Sequence, residues 1–431
     1  MLVYSRREGC PIYKVERKAL FEYDLGLPEF KVVNRKEVDN NYLFTVEPVD
    51  DQPNRCPECG HSKLYVHKYV KLRARDMEIN GHKVGIIINT KRYRCKNCRS
   101  VVAKPFNSLD GRLTKRLRDE IRRQSFRENF LTIAERYDLS TPTIINIFNE
   151  QAKIYEQEYR LVMPEVLGLD EVHLHKAYCG VFVAVNKEDG RVIELTETRK
   201  EDNIKKTLKK MENPENLKYV TMDMWGPYKS AVLEVLPEAT IIIDRFHVIK
   251  ALQNCLESVR RDVSKKIQEQ KIRKSLKNNR FLMLTSTEKL YPEQIRRLDE
   301  IFKDFPEFQK PYELKEAFRN IYDLATSVEE AESMYDEWCR EVEKAGAKEY
   351  QDFIDTVSRW HTEVFNYFRF TGDNRTNGQT ESLNRIIKDM DRIGRGYSFE
   401  TLRAKILFGK MIPKKPKFDF KKFEEEDSSA G

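Results

Sequence analysis

At 431 residues the chain exceeds one ordinary domain, and its 34% charged and 40% hydrophobic residues describe a surface-rich globular protein. No apolar run approaches the ~20 residues that cross a bilayer, which argues against a membrane role. The first ten residues lack the apolar core of a signal peptide, so a cytoplasmic location is expected.

Net charge is +8, and its distribution says more than its total. From Arg55 to Arg99 there are 12 Lys/Arg against 3 Asp/Glu, and from Lys104 to Arg127 there are 8 against 3. Together these stretches exceed the whole-chain value, so the remainder is mildly acidic. A front part of this kind suits a polyanion, because binding phosphates releases counterions. A solvated basic surface is the plain alternative.

Residues 1–50 read as an N-terminal β segment, with strand-like Phe30–Val33 and Tyr42–Val46, and suggest no function. Residues 51–104 contain Cys56-Pro57-Glu58-Cys59 and Cys95-Lys96-Asn97-Cys98. Each Cys-x-x-Cys turn presents two thiolates, and two such turns complete a tetrahedral zinc site. Between them, strand-like Lys63–Leu72 and Lys83–Arg94 flank the turn Asn80-Gly81, so a hairpin would bring the knuckles together. With no export signal, paired cysteines read as one structural Zn2+ rather than disulfides. Arg92 and Arg94 are candidate DNA contacts.

From Gly111 the pattern turns helical. Leu113, Leu117 and Ile121 recur every four residues with basic residues on the other faces. A short helix ends near Tyr137, and Ser140 or Thr141 caps another with Pro142 in its first turn. Apolar Ile133, Ala134, Leu139, Ile144, Ile145 and Phe148 fit a helix-turn-helix core over 105–160, which would present Thr141, Thr143 and Asn146 to DNA bases. A plain helical hairpin is the alternative.

Residues 161–247 are β-rich. Strands are expected over Val166–Val172, Ala177–Asn186 and Arg191–Thr198, then a helix over Lys200–Met211, a strand over Tyr219–Met224, a helix over Pro227–Leu236 and a strand over Ala239–Asp244. This order implies a mixed sheet with helices on its faces. Asp170 and Asp223 fall within or at the ends of strands, where an unpaired charge is costly. On neighbouring strands they would repel unless a cation lay between them, and Mg2+ prefers such hard ligands. Taken singly, each is more often a strand-end cap than a ligand, and a shared role needs a third ligand.

Far downstream stands Asn377-Gly378-Gln379-Thr380-Glu381-Ser382-Leu383-Asn384. Together with Gly168-Leu169-Asp170-Glu171, Asp223-Met224-Trp225 and Asp244-Arg245-Phe246-His247, it resembles the DDE insertion-sequence transposases of the zinc-ribbon ISL3 family, from about Cys56 to Gly396. The resemblance implies an α/β multidomain protein. An RNase H-like mixed-sheet core would be interrupted by an all-helical insertion (248–365), and completed by final helices over 366–412, ahead of a disordered tail over 413–431. It implies a triad of Asp170, Asp223 and Glu381 holding two Mg2+ (or Mn2+) ions, with double-stranded DNA, both transposon ends and target, as substrate. Pairing two ends suggests a homodimer, and a nucleoid-associated one.

The residues support Glu381 separately. Thr380–Met390 reads as a helix, placing Glu381, Arg385 and Lys388 on one face at i, i+4 and i+7, where the cations could hold a scissile phosphate. A simple surface Glu–Arg pair is the alternative. Asp244 and His247 could both face the carboxylates, His247 supporting the site from a helix start; the alternative is an N-cap Asp244 with a buried, hydrogen-bonded His247. His173 and His175 should lie outside it. Trp225 could stack on a base or merely pack. A zinc-dependent transcriptional regulator would explain the front end but gives the three carboxylates no shared task, and an inactive domesticated transposase would keep them unused.

Overall fold

The computed structural model describes residues 25–174, 177–186, 190–370 and 378–412. The chain divides into two compact units, one formed mainly by residues up to 157 and the other by residues 158–410. No described helix is long and apolar enough to cross a membrane. His175, the turn residues 187–189, the segment 371–377 and the tail expected over 413–431 lie outside the described residues.

In the first unit, strands β1 (Phe30–Val38) and β2 (Asn41–Pro48) form a hairpin, as do β3 (Leu64–Ile79) and β4 (His82–Cys95). Asn80 (φ 51°) and Gly81 (φ 79°) both adopt the left-handed turn conformation that favours Asn-Gly between paired strands. The strands join one sheet in the order β1-β2-β4-β3, extended by the short strands β6 (Leu109–Asp110) and β7 (Leu113–Thr114); β5 (Val101–Val102) pairs with β4. Alternating Val84, Ile86 and Ile88 on β4 pack with Val32, Phe44 and Val46 in one core. Residues 30–48 are therefore not the separate segment expected from the sequence. β2 runs parallel to β4, Tyr42 opposite Val84, so a boundary at residue 50 would cut through a sheet.

Three helices follow: α1 (Lys115–Ser125), α2 (Phe130–Tyr137) and α3 (Thr141–Glu158). Thr114 and Asn129 cap the first two by accepting from Leu117 N and Leu131 N, and Ser140 Oγ accepts from Thr143 N at 3.3 Å. Asp138 (φ 51°) ends α2 in the left-handed conformation and turns the chain into α3. Phe148 meets Phe126 and Phe130 at 4.6 and 5.1 Å between ring centres. The expected core needs correction at two positions: Leu139 and Ile145 are only half-buried, whereas Ile147 is fully buried. Once Ser140 starts the helix, Ile144, Ile147 and Phe148 are the residues that share its inner face at i, i+3 and i+4.

The second unit is built on a five-stranded sheet ordered β10-β9-β8-β11-β12. β8 (Val166–Leu174), β9 (Ala177–Ala184) and β10 (Arg191–Thr196) form an antiparallel meander, while β11 (Tyr219–Met222) and β12 (Thr240–Ile243) run parallel to β8. Helices α4 (Glu201–Leu208) and α5 (Gly226–Val235) make the connections that parallel pairing requires. The strand and helix order is the one expected from the sequence.

A long run of helices follows, beginning with α6 (Arg245–Lys266), then α7 (Gln270–Asn278), α8 (Arg280–Leu284), α9 (Pro292–Asp304), α10 (Gln309–Leu324) and α11 (Val328–Ala345). Phe318 and Trp338 centre an aromatic core, and Trp338 donates to Leu314 O at 2.8 Å. Asn366 Nδ2 donates to Ile241 O at 2.9 Å, returning the chain to β12. Helices counted from here, after α12 (Gln351–Arg359) and α13 (His361–Phe365), are α14 (Gly378–Gly394) and α15 (Phe399–Phe408). Arg403 on α15 grips Glu194 of β10 through two hydrogen bonds of 2.6 and 2.7 Å.

Candidate active site and metal centres

The β3–β4 hairpin closes with Leu64 opposite Cys95, which brings both cysteine turns to one end. In each turn an amide reaches back to the first cysteine: Gly60 N to Cys56 O at 2.8 Å and Arg99 N to Cys95 O at 3.2 Å. Gly60 and Arg99 both take positive φ, so the two knuckles share one backbone shape. Cys56 and Cys98 sulfurs lie 3.5 Å apart, and those of Cys59 and Cys95 3.6 Å. A tetrahedron with Zn–S bonds of about 2.3 Å has edges near ~3.8 Å, so the four sulfurs fit a zinc ion and are too far apart for disulfides. Hydrogen bonds from Ser100 pull the Cys98 thiol down to about 6, favouring the thiolate a metal needs. Arg92 is exposed on β4, and Arg94 is half-buried with a nitrogen 3.2 Å from His67 Nε2.

On α3, Asn146 is exposed, while Thr141 and Thr143 are half-buried. The Thr143 hydroxyl is engaged with Ser140 Oγ at 2.8 Å. Of the three residues expected to face DNA bases, Asn146 is thus the most open.

In the second unit the parallel register fixes the acidic site. Leu169 pairs with Met222, and Met222 with Ile243, so Asp170, within β8, lies level with Asp223 and Asp244, which follow the ends of β11 and β12. Carboxyl ends of parallel strands are where α/β sheets open to ligands. Asp244 is buried and caps α6 through Phe246 N at 3.3 Å. One turn later, His247 Nε2 lies 2.6 Å from Asp223 Oδ1. Ligand atoms of Asp170, Asp223 and His247 all fall within 4.8 Å of one another. Burial and, next, the charge of Asp223 push the Asp170 carboxyl up to about 7. Burial disfavours a charged His247, but Asp223, with Asp244 and Asp170 behind it, lifts its pKa above the ordinary value. Two mutually repelling carboxylates beside an imidazole nitrogen are a donor set that suits a divalent cation, so the residues fit one.

Glu381 does not join that cluster. It sits half-buried at the start of α14 and lines, with Asp244, Phe246 and Arg319, a cavity of about 420 Å3. Its helix is nevertheless tied to the cluster: Asn384 Nδ2 donates to Asp170 Oδ2 at 2.7 Å. Glu381 stands three residues earlier, one turn away on the same side of the helix. Gln379 holds the helix start against the end of β9, accepting from Asn186 N at 3.1 Å and donating to Asn186 O at 2.6 Å. Arg385 and Lys388 are exposed on the following turns.

Gln379 and Asn384 were not singled out by sequence reasoning, although both lie inside the motif that carries Glu381. Amides at i−2 and i+3 of a helical carboxylate were the available signal. Trp225 precedes α5 and is partly exposed, with the Arg199 guanidinium 4.3 Å from its ring centre. The same guanidinium lies 4.5 Å from the Tyr178 ring and pairs with Glu171. His173 is exposed against Tyr178, outside the acidic cluster as expected.

A family of ISL3 type described as "Transposase" matches residues 167–406, and one described as "zinc-finger of transposase IS204/IS1001/IS1096/IS1165" matches residues 52–98. The second match spans all four cysteines, so the four-cysteine cluster is read as a structural zinc site. The transposase for insertion sequence element IS1001 of Bordetella parapertussis is 22% identical over 348 residues, covering 79% of this chain and 85% of that protein.

Proposed function

The chain belongs to the ISL3 family of DDE transposases, and from that premise we propose that it binds the terminal inverted repeats of an insertion sequence and cuts and joins DNA strands at one Mg2+-dependent site. The observation that carries this is the convergence of Asp170 and Asp223 from neighbouring parallel strands, with Glu381 on a helix hydrogen-bonded to Asp170. Asp170, Asp223 and Glu381 are the residues to hold two Mg2+ (or Mn2+) ions. When bound, such ions activate water for attack on a phosphodiester and stabilise the departing 3′-oxygen.

The chain's own residues supply position. Asn384 aligns Asp170, and His247 fixes Asp223. Arg385 and Lys388, open to solvent on α14, are placed to meet the DNA backbone. Glu381, one turn from Asn384 on the helix tied to Asp170, would be the third residue to hold the ions. The five-stranded sheet with its helical insertion is consistent with an RNase H-like core.

Helices α1–α3 form a helix-turn-helix whose third helix enters the major groove, with Asn146 reading bases and Thr141 and Thr143 beside it. Arg92 and Arg94 of the zinc ribbon hold phosphates. Trp225 adds a ring surface near the cut. Two element ends must be paired, so the working form on DNA is a homodimer, and its DNA places it on the nucleoid. Mg2+-dependent nicking of end DNA by the wild type, lost in Asp170→Asn with end binding retained, tests the reading; nicking by Asp170→Asn would remove the site from it.

A further inference from the structure

The helical insertion holds a second cavity, of about 490 Å3, that shares Phe246, Lys289 and Arg319 with the cavity lined by Glu381. A solvated basic face would show mobile charges over a closed polar surface, and this pocket differs in three ways.

Its charge is one-sided. Lys250, Arg280, Lys289 and Arg319 line it, and no carboxylate pairs with Lys250, Arg280 or Lys289 among the described residues. The acidic residue in the lining, Glu257, is held by Arg260 at 2.6 and 2.9 Å, and Arg280 acts on it only at longer range, outside ion-pair contact. Glu316 lies 4.0 Å from Arg319 but is engaged more closely by Lys315, at 2.8 Å.

Its polar atoms are unsatisfied. Ser286 is 2% exposed, and its Oγ has no hydrogen-bond partner; the same holds for the buried Nε atoms of Arg280 and Arg319. Buried donors left without acceptors are costly, and together they ask for an anion with several oxygens.

Its aromatic residues are open. Phe281 is 69% and Phe246 49% exposed, and the Arg280 guanidinium lies 5.0 Å from the Phe281 ring centre. A bare ring beside unpaired cations is the combination that binds an unstacked base together with its phosphate. The volume falls within the range of small-ligand pockets.

We infer that this cavity binds one unpaired nucleotide of the DNA strand beside the scissile bond, its phosphate held by Arg280, Lys289, Arg319 and the Ser286 hydroxyl, and its base stacked on Phe281. The inference rests on the proposed DNA-cleaving function and deepens it. A frayed end is the form of duplex that delivers such a nucleotide, so the pocket selects DNA whose end is opened at the cut.

The test uses the full chain and two probes, a short paired duplex and the same duplex with a few mismatched nucleotides at one end, each carrying a fluorescent aminopurine at the same position, paired in the first and unpaired in the second. The wild type is expected to bind the frayed probe about tenfold tighter and to quench its fluorescence. Phe281→Ala should bring the ratio near one and restore the fluorescence, whereas Phe281→Tyr should keep both. Phe281 is exposed, so its replacement leaves the fold intact, which a thermal melt verifies. Equal affinity of the wild type for both probes, or an unchanged ratio in Phe281→Ala, overturns the pocket while Mg2+-dependent nicking leaves the transposase reading standing. Failure of the wild type to bind the frayed probe likewise overturns the pocket, while loss of Mg2+-dependent nicking of end DNA is what would overturn the cleavage reading.

Discussion

Asn384 donates its side-chain amide to Asp170 across 2.7 Å, joining residues 214 positions apart and locking helix α14 onto the central strand β8. Both residues are buried, so the bond is shielded from water and is charge-assisted when the carboxylate is ionised. It also sets where Glu381, one turn earlier, can stand.

Asn384→Ala is therefore expected to slow strand cleavage by roughly 10- to 100-fold, the loss equivalent to one hydrogen bond to a charged group. Affinity for end DNA should change far less, because that bond lies outside the zinc ribbon and the three front helices. Single-turnover nicking rates beside gel-shift titrations give both numbers. Equal losses in binding and rate would mean the bond serves folding in general.

The fold was legible wherever a short-range rule acted alone. Asn80-Gly81 dictates its hairpin, the Cys-x-x-Cys pairs their knuckles, and the short apolar runs of β8–β12 their strands, because run length and turn chemistry are local. What escaped was pairing at long range. Nothing local says that β2 lies parallel to β4, which merges residues 30–48 with the ribbon. Likewise, the motif around Glu381 could be recognised, but which of its side chains would touch Asp170 depends on the helix's rotation against the sheet. That rotation selects Asn384 and leaves Glu381 facing the adjacent cavity. For His247 the sequence leaves open supporting the site or being a hydrogen-bonded residue behind an N-capping Asp244, and the Asp244 cap with the contact to Asp223 fits both.

The raised carboxyl of Asp170 makes metal-free stability depend on pH. Its folded value of about 7 lies above the ordinary 3.8, so between about pH 4 and 7 the folded chain holds a proton that the unfolded chain releases. Stability from this group is present at low pH and is lost as pH rises through about 7. His247, also raised, acts in the same direction. Melting temperatures of Mg2+-free protein should fall across this window, by at most a few kcal/mol in stability, and Asp170→Asn should flatten the slope. Added Mg2+ should restore the wild type at pH 8 and do little for the variant. Matching slopes in the two proteins would show that Asp170 is not under this strain.

Zinc content gives a separate check on the front end. Cys95 is fully buried and packs with Cys56, Tyr93 and Val102 in a cluster too small to hold the knuckles by itself. Metal analysis should find one Zn2+ per chain in the wild type and none in Cys95→Ser, whose affinity for end DNA should drop by at least tenfold. The sheet of residues 166–243 owes nothing to these cysteines, so helical and strand signals from the larger unit should persist. Full zinc occupancy in Cys95→Ser would refute a four-cysteine site.

Arg199 lies near both the Tyr178 and Trp225 rings while pairing with Glu171, the residue after Asp170. A guanidinium beside aromatic faces gains about 0.5–1 kcal/mol per ring at an exposed site, and its ion pair fixes it further. If packing is the whole role of Trp225, then Trp225→Ala should cost stability and leave KM for end DNA unchanged. If the ring also meets DNA, as proposed here, KM should rise about 5- to 50-fold, the range of one lost stacking contact, while Trp225→Phe recovers most of it. Arg199→Lys keeps a charge near Glu171 but loses the flat face that covers the rings, and is expected to behave as a weaker form of Trp225→Ala. Measuring kcat and KM for all three variants beside their melting temperatures separates the outcomes. A stability loss with unchanged KM in every one would confine Trp225 to holding β8 and α5 together.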